Sequence, residues 1–127
     1  MIRLATIAQV GRFGVVGLTA TGVHYVVALA ANLGISAYAA NVAGYLCAVS
    51  VSYFGHQRVT FRLAPAEVAH GRHLPRFVAT SLSALALSQA VLAAARALGT
   101  PDEVALAAAV LTVPPYTFLL SRFWVFR

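Results

Sequence analysis

His24, Asn41, Gln89 and Arg96 stand inside long apolar runs. A polar side chain surrounded by hydrocarbon must be paired, and such a group is a functional candidate by default. An imidazole or amide can equally well serve only to tie helices together. Both readings stand for His24, midway along its run, and for Asn41. Gln89 and Arg96 are seven positions apart and so share nearly one helix face. Arg96 is within a turn of its run's end, so it either snorkels to water or points inward as a phosphate or sugar contact. A second set is Arg12, Arg58, Arg62, Arg76, Arg122 and Arg127, which flank apolar runs and, except for Arg58, stand next to a phenylalanine. Guanidinium forks hold phosphate oxygens bidentately, and the same Arg-aromatic pairing is what any membrane helix needs at its water boundary. A nucleophile-base pair, a metal-ligand cluster and a phosphate-cradling glycine loop are all missing, so neither enzyme chemistry nor a metal or other cofactor is expected.

Composition sets the solvent. With 61% hydrophobic residues, 9% charged residues and a mean hydropathy of +0.83, the chain could hardly cover a water-facing surface. Its nine basic residues are all Arg, against Glu67, Asp102 and Glu103, for a net charge of +6. Because the arginines gather at the ends of apolar runs, anionic lipid headgroups fit them better than nucleic acid. The lone Cys47 excludes an internal disulfide.

No Asp, Glu, Lys or Arg occurs from 13 to 57, and a span needs about 20 residues, so this stretch holds two helices. The turn-forming cluster 32–36 separates them. Spans are predicted at 13–31, 37–57, 77–98 and 104–120, with Asp102 and Glu103 suited to the first turn of the last. The polar segment 58–76 reads as a loop. Residues 1–11 read as a short amphipathic turn or two along the interface, retained rather than cleaved. The expected fold is an all-α integral membrane protein with four transmembrane helices.

The runs echo one another. Arg12-Phe13 is answered by Arg76-Phe77, Leu33-Gly34 by Leu98-Gly99, and Phe61-Arg62 by Phe126-Arg127. The single domain, 1–127, is therefore read as two copies of a helical hairpin, 12–62 and 76–127, in parallel orientation. Eight arginines fall on the side of the termini and one on the other, which predicts cytoplasmic termini. Gly14, Gly17, Thr21, His24 and Ala28 share one sector of the first helix; Asn41, Gly44, Ala48, Ser52 and Gly55 share one of the second. Either stripe suits close helix packing. Pro114 and Pro115 withhold donors from the carbonyls of Val110 and Leu111, which marks a packing kink or the wall of a cavity.

These features resemble the GtrA-like family of small bacterial membrane proteins. The resemblance spans Arg12 to Arg127 and rests most firmly on the ending Ser121-Arg122-Phe123-Trp124-Val125-Phe126, on Gly17 with Thr21, and on Ala40-Asn41. Departures are His24 where Asp is common, His56 and Ser121 where Asn is expected, and Val59 where an aromatic is usual. The resemblance implies a multi-pass protein of the bacterial cytoplasmic membrane that moves a polyprenyl-phosphate-linked sugar across it for cell-surface polysaccharide or teichoic-acid glycosylation. Its implied partners are membrane lipids and that lipid-linked sugar. On that view the arginines hold the phosphate, and His24, Asn41, Ser52, Gln89 and Thr112, with Arg96 if it points inward, are the groups for a polar path. Four short helices barely enclose such a path, so a homodimer or higher oligomer is expected. The alternatives are a membrane subunit recruiting a glycosyltransferase and a small multidrug-type exporter, the latter disfavoured by the lack of a carboxylate inside the runs.

Overall fold

The structure, a computed structural model, describes residues 4–55, 58, 70–120 and 123. Among these are four helices, α1 (Leu4–Ala31), α2 (Ala37–Gly55), α3 (His70–Ala97) and α4 (Asp102–Leu120), and no strand. Adjacent helices run antiparallel. α1 packs on α2 and α3 on α4, and the two pairs meet along α1–α4 and, more loosely, α2–α3. Arg12, Arg58 and Arg76 lie at one end of the bundle, called the base; the two tight connections form the tip.

Ile7–Ala31, Pro75–Ala97 and Asp102–Leu120 are each long and apolar enough to cross a membrane. The chain is therefore a multi-pass membrane protein. α2 matches α4 in length, at 19 residues, but carries Asn41, three tyrosines and two serines, and falls short on hydropathy. Its most polar groups turn inward: Asn41, Tyr45 and Tyr53 are buried, whereas Leu46 and Phe54 are exposed. The other helices follow the same rule, with Val15, Leu18, Val26, Leu82 and Leu111 outside and Ala20, Ala28, Ala84, Ala105 and Ala109 inside. Lipid supplies no hydrophobic drive between helices, so small residues that let backbones approach do the packing.

The closest approach is at Gly44. A Cβ there would run into the His24 carbonyl oxygen and come within 3.1 Å of the Ala28 nitrogen. Gly55 is similarly covered, a Cβ lying 2.7 Å from Val16 Cγ1. By contrast nothing lies within 4 Å of a Cβ built on Gly14 or Gly17. The α1 side of this contact is made by Val16, Ala20, His24 and Ala28, all buried, so the glycines of the predicted α1 stripe are not where this chain's helices close. Buried residues recur along the chain: Val16, Ala20, His24 and Ala28 precede Thr80, Ala84, Ser88 and Leu92 by 64 positions each. Ala40, Asn41, Gly44 and Tyr45 precede Ala105, Leu106, Ala109 and Val110 by 65.

Two predicted boundaries are corrected. α1 begins at Leu4 and continues unbroken through Gly11 and Arg12, so its first turns are not a separate interfacial element. α3 begins at His70, inside the predicted loop, and takes Pro75 into its second turn. Polar residues at the ends of a long helix look like loop in sequence because they lie beyond the hydrocarbon, not beyond the helix. The two Leu-Gly echoes also differ in backbone. Gly99 has φ +83° and closes α3 with Thr100 N–H on Ala95 O (3.2 Å) and Gly99 N–H on Arg96 O (3.0 Å). Gly34 does not adopt a left-handed φ; its connection instead ends at Ser36, whose Oγ accepts from Ala39 N–H at 3.2 Å and caps α2.

Candidate functional site

The four helices are joined at their centre by side-chain hydrogen bonds. His24 Nε2 lies 2.8 Å from Asn41 Oδ1. Asn41 Nδ2 donates to Ser88 Oγ at 3.0 Å and to Gln89 Oε1 at 2.9 Å. Ser88 donates onward to Ala109 O at 3.1 Å, and Gln89 Nε2 to Tyr38 O at 3.2 Å. The two backbone carbonyls accept only, which fixes the direction of every bond before them. Turning either amide would set acceptor against acceptor or leave Ser88 one hydrogen for two partners. Asn41 Oδ1 must therefore accept, and His24 donates from Nε2. His24, Asn41 and Ser88 are each at most 2% exposed, and together these groups form a polar knot through all four helices.

Between the knot and the base is a chamber of about 50 Å³. At about 10–15 Å³ per water-sized group it has room for three to five of them. Its walls include Gly17, Thr21 and His24 of α1, Tyr45 and Ser52 of α2, Thr80 and Ser81 of α3, and Val110, Pro114 and Thr117 of α4. Gly17 keeps it open, since a side chain there would project into unfilled space. Thr80 is 3% exposed and its Oγ1 has no hydrogen-bond partner among the described residues. A buried hydroxyl left so costs about 1–3 kcal/mol, which makes Thr80 a ready contact for a polar ligand. Pro114 adds an acceptor: it has no N–H for the Val110 carbonyl, and both residues line the chamber. α4 nevertheless runs on to Leu120, with Thr117 Oγ1 bonded to Val113 O at 2.9 Å.

At the base, Phe13 meets Phe118 edge-on at 4.7 Å and Phe77 packs on Tyr53 at 4.7 Å. These contacts set the depth of Arg12 and Arg76, the residues just before the two phenylalanines. The Arg58 guanidinium lies over the Phe54 ring, 5.4 Å from its centroid. Arg62, Arg122 and Arg127 lie outside the described residues. Between α2 and α3 a lipid-facing groove of about 410 Å³ runs past Leu46, Val49, Tyr53, Phe54, Leu82 and Leu85.

Of the polar-path candidates, His24, Asn41 and Gln89 meet in the knot, and Ser52 lines the chamber. Two are elsewhere. Arg96 pairs with Asp102 (Nε to Oδ1, 3.2 Å) and lies over the Tyr38 ring at 5.2 Å, so it clasps the tip. Thr112 donates to its own helix at Ala108 O, 2.8 Å, and joins neither knot nor chamber. Ser88 and Thr80 are functional candidates missed in the sequence; the spacing of Phe77, Thr80, Ala84, Ser88 and Leu92 along the buried face of α3 carries the signal that would have found them. No group of three His, Cys, Asp or Glu able to hold a metal occurs among the described residues.

No curated protein and no solved structure is significantly similar to the chain. The family model described as GtrA/DPMS, transmembrane domain, matches residues 12–126. A match over nearly the whole length, on a helical membrane bundle, means that the chain belongs to the GtrA/DPMS transmembrane-domain family.

Proposed function

We propose that the chain moves a polyprenyl-phosphate-linked sugar across the bacterial cytoplasmic membrane without chemically changing it. The observation that carries this reading is the chamber, which presents the unpartnered Thr80 hydroxyl inside the bundle. A sugar is a cluster of hydroxyls, and hydroxyls are what the Thr80 side chain and the Val110 carbonyl lack. The knot closes the way toward the tip. Buried hydrogen bonds between membrane helices average only about 0.6 kcal/mol each, so the hydroxyls of a sugar can replace knot partners at small cost. The arginine-bearing base faces the cytoplasm in this reading and receives the anionic phosphate. The matched burial at shifts of 64 and 65 supports two hairpin copies. Gly14, exposed and outside the chamber, leaves room on α1 for a second copy of the chain, consistent with a homodimer.

A chamber of about 50 Å³ is small for a whole sugar ring. This favours, as a second reading, a subunit that binds the lipid-linked sugar at its head and brings a glycosyltransferase to it. The two are separated in proteoliposomes containing only this chain, by following access of the sugar to an impermeant reagent. Accelerated exposure, slowed by Thr80→Val, supports translocation. No acceleration with folded protein in the same vesicles overturns it in favour of the recruiting subunit.

A further inference from the structure

We infer that the α2–α3 seam is the side entrance for the lipid, holding an isoprenyl chain in the outer groove while its head reaches the chamber. This rests on the proposed function for the head's identity, but the groove stands on its own geometry. α2 and α3 form the loosest seam between neighbouring helices. The groove between them, about 410 Å³, is almost wholly apolar. From Phe54 to Tyr45 it follows nine residues of α2, about 14 Å at 1.5 Å per residue.

Two observations mark it for an anionic lipid. Tyr45, Val49, Phe77 and Ser81 line both the groove and the chamber, so a single layer of side chains separates hydrocarbon from the Thr80 hydroxyl. At the base end, Phe54 lines the groove and carries the Arg58 guanidinium on its ring. Chain, cation and buried hydroxyl thus match the tail, phosphate and polar head of one amphiphile. The wall is built largely of aromatic rings and branched aliphatic side chains, and the occupant inferred for it is a methyl-branched chain. Ordinary phospholipid is therefore the competitor to be beaten.

The test uses the full chain in phosphatidylcholine nanodiscs with a photoactivatable polyprenyl phosphate. Labelling is expected at α2 and α3, around Leu46, Phe54 and Leu82, displaced by unlabelled polyprenyl phosphate and not by the same amount of phosphatidylglycerol. Leu82→Trp and, independently, Leu46→Trp fill the groove from lipid-facing positions and should each abolish labelling. Arg58→Gln should weaken apparent affinity about tenfold, the loss of one charge-assisted contact. Labelling on the outer face of α1 or α4, or equal displacement by phosphatidylglycerol, overturns the inference. Groove labelling without sugar translocation leaves the groove standing and removes the flipping reading. Translocation with labelling elsewhere does the reverse.

Discussion

Replacing Asn41 by Ala removes the one residue bonded to three partners in the knot. The His24 Nε2 donor, the Ser88 hydroxyl and the Gln89 amide oxygen each lose a partner, at original distances of 2.8, 3.0 and 2.9 Å. Hydrogen bonds between membrane helices average about 0.6 kcal/mol and reach about 1.7, so three predict a loss of about 2 kcal/mol with a ceiling near 5. Asn41 is 0% exposed, so water cannot replace those bonds without entering the bundle. The assay is reversible unfolding by SDS in mixed micelles, followed by far-UV circular dichroism. Thr112→Val is the control, because Thr112 bonds only within α4. His24→Ala and Gln89→Ala, each combined with Asn41→Ala, should cost less than the sum of the single changes. If Asn41→Ala falls within about 0.5 kcal/mol of wild type, or the doubles add fully, the knot does not hold the helices together and the reasoning fails.

Gly44→Ala should destabilise by about 1–3 kcal/mol in the same assay, because the methyl meets the His24 carbonyl and α1 and α2 must separate. Gly14→Ala, with open space around it, should be neutral or stabilising. Gly99→Ala should cost about 1 kcal/mol from its left-handed φ, whereas Gly34→Ala should not show that cost; equal effects would refute the assignment of the α3 cap. Arg96→Ala should change stability by no more than about 1 kcal/mol and leave translocation intact, since its ion pair with Asp102 is part-exposed at the tip; abolished translocation would return Arg96 to the path.

The helices were legible because charge-free runs bounded by arginines leave no other solution in lipid. Their outer turns were not: residues near Leu4 and His70 are helical where polar sequence reads as interface or loop. His24, Asn41 and Gln89 were visible as polar groups in apolar runs, yet periodicity assigns a face and not the neighbour it meets. The same limit left open which glycine stripe makes the closest contact, which falls at Gly44 and Gly55 on α2 and passes over Gly14 and Gly17. Thr80 was hidden for a different reason. Helical threonines usually bond back to their own turn, as Thr19, Thr21, Thr112 and Thr117 do. Nothing adjacent to Thr80 in sequence announces that it does not.

The direction of the knot bears on how any transport through it is powered. Its links from α1 to α3 are amides, which donate through nitrogen and accept through oxygen. Imidazoles and hydroxyls can hand a proton along a chain, but an amide would have to pass through an imidic-acid tautomer to do so. Asn41 is thus an insulator between His24 and the far pair of helices. A proton arriving at His24 therefore has no through-bond route across the intact knot to α3 and α4.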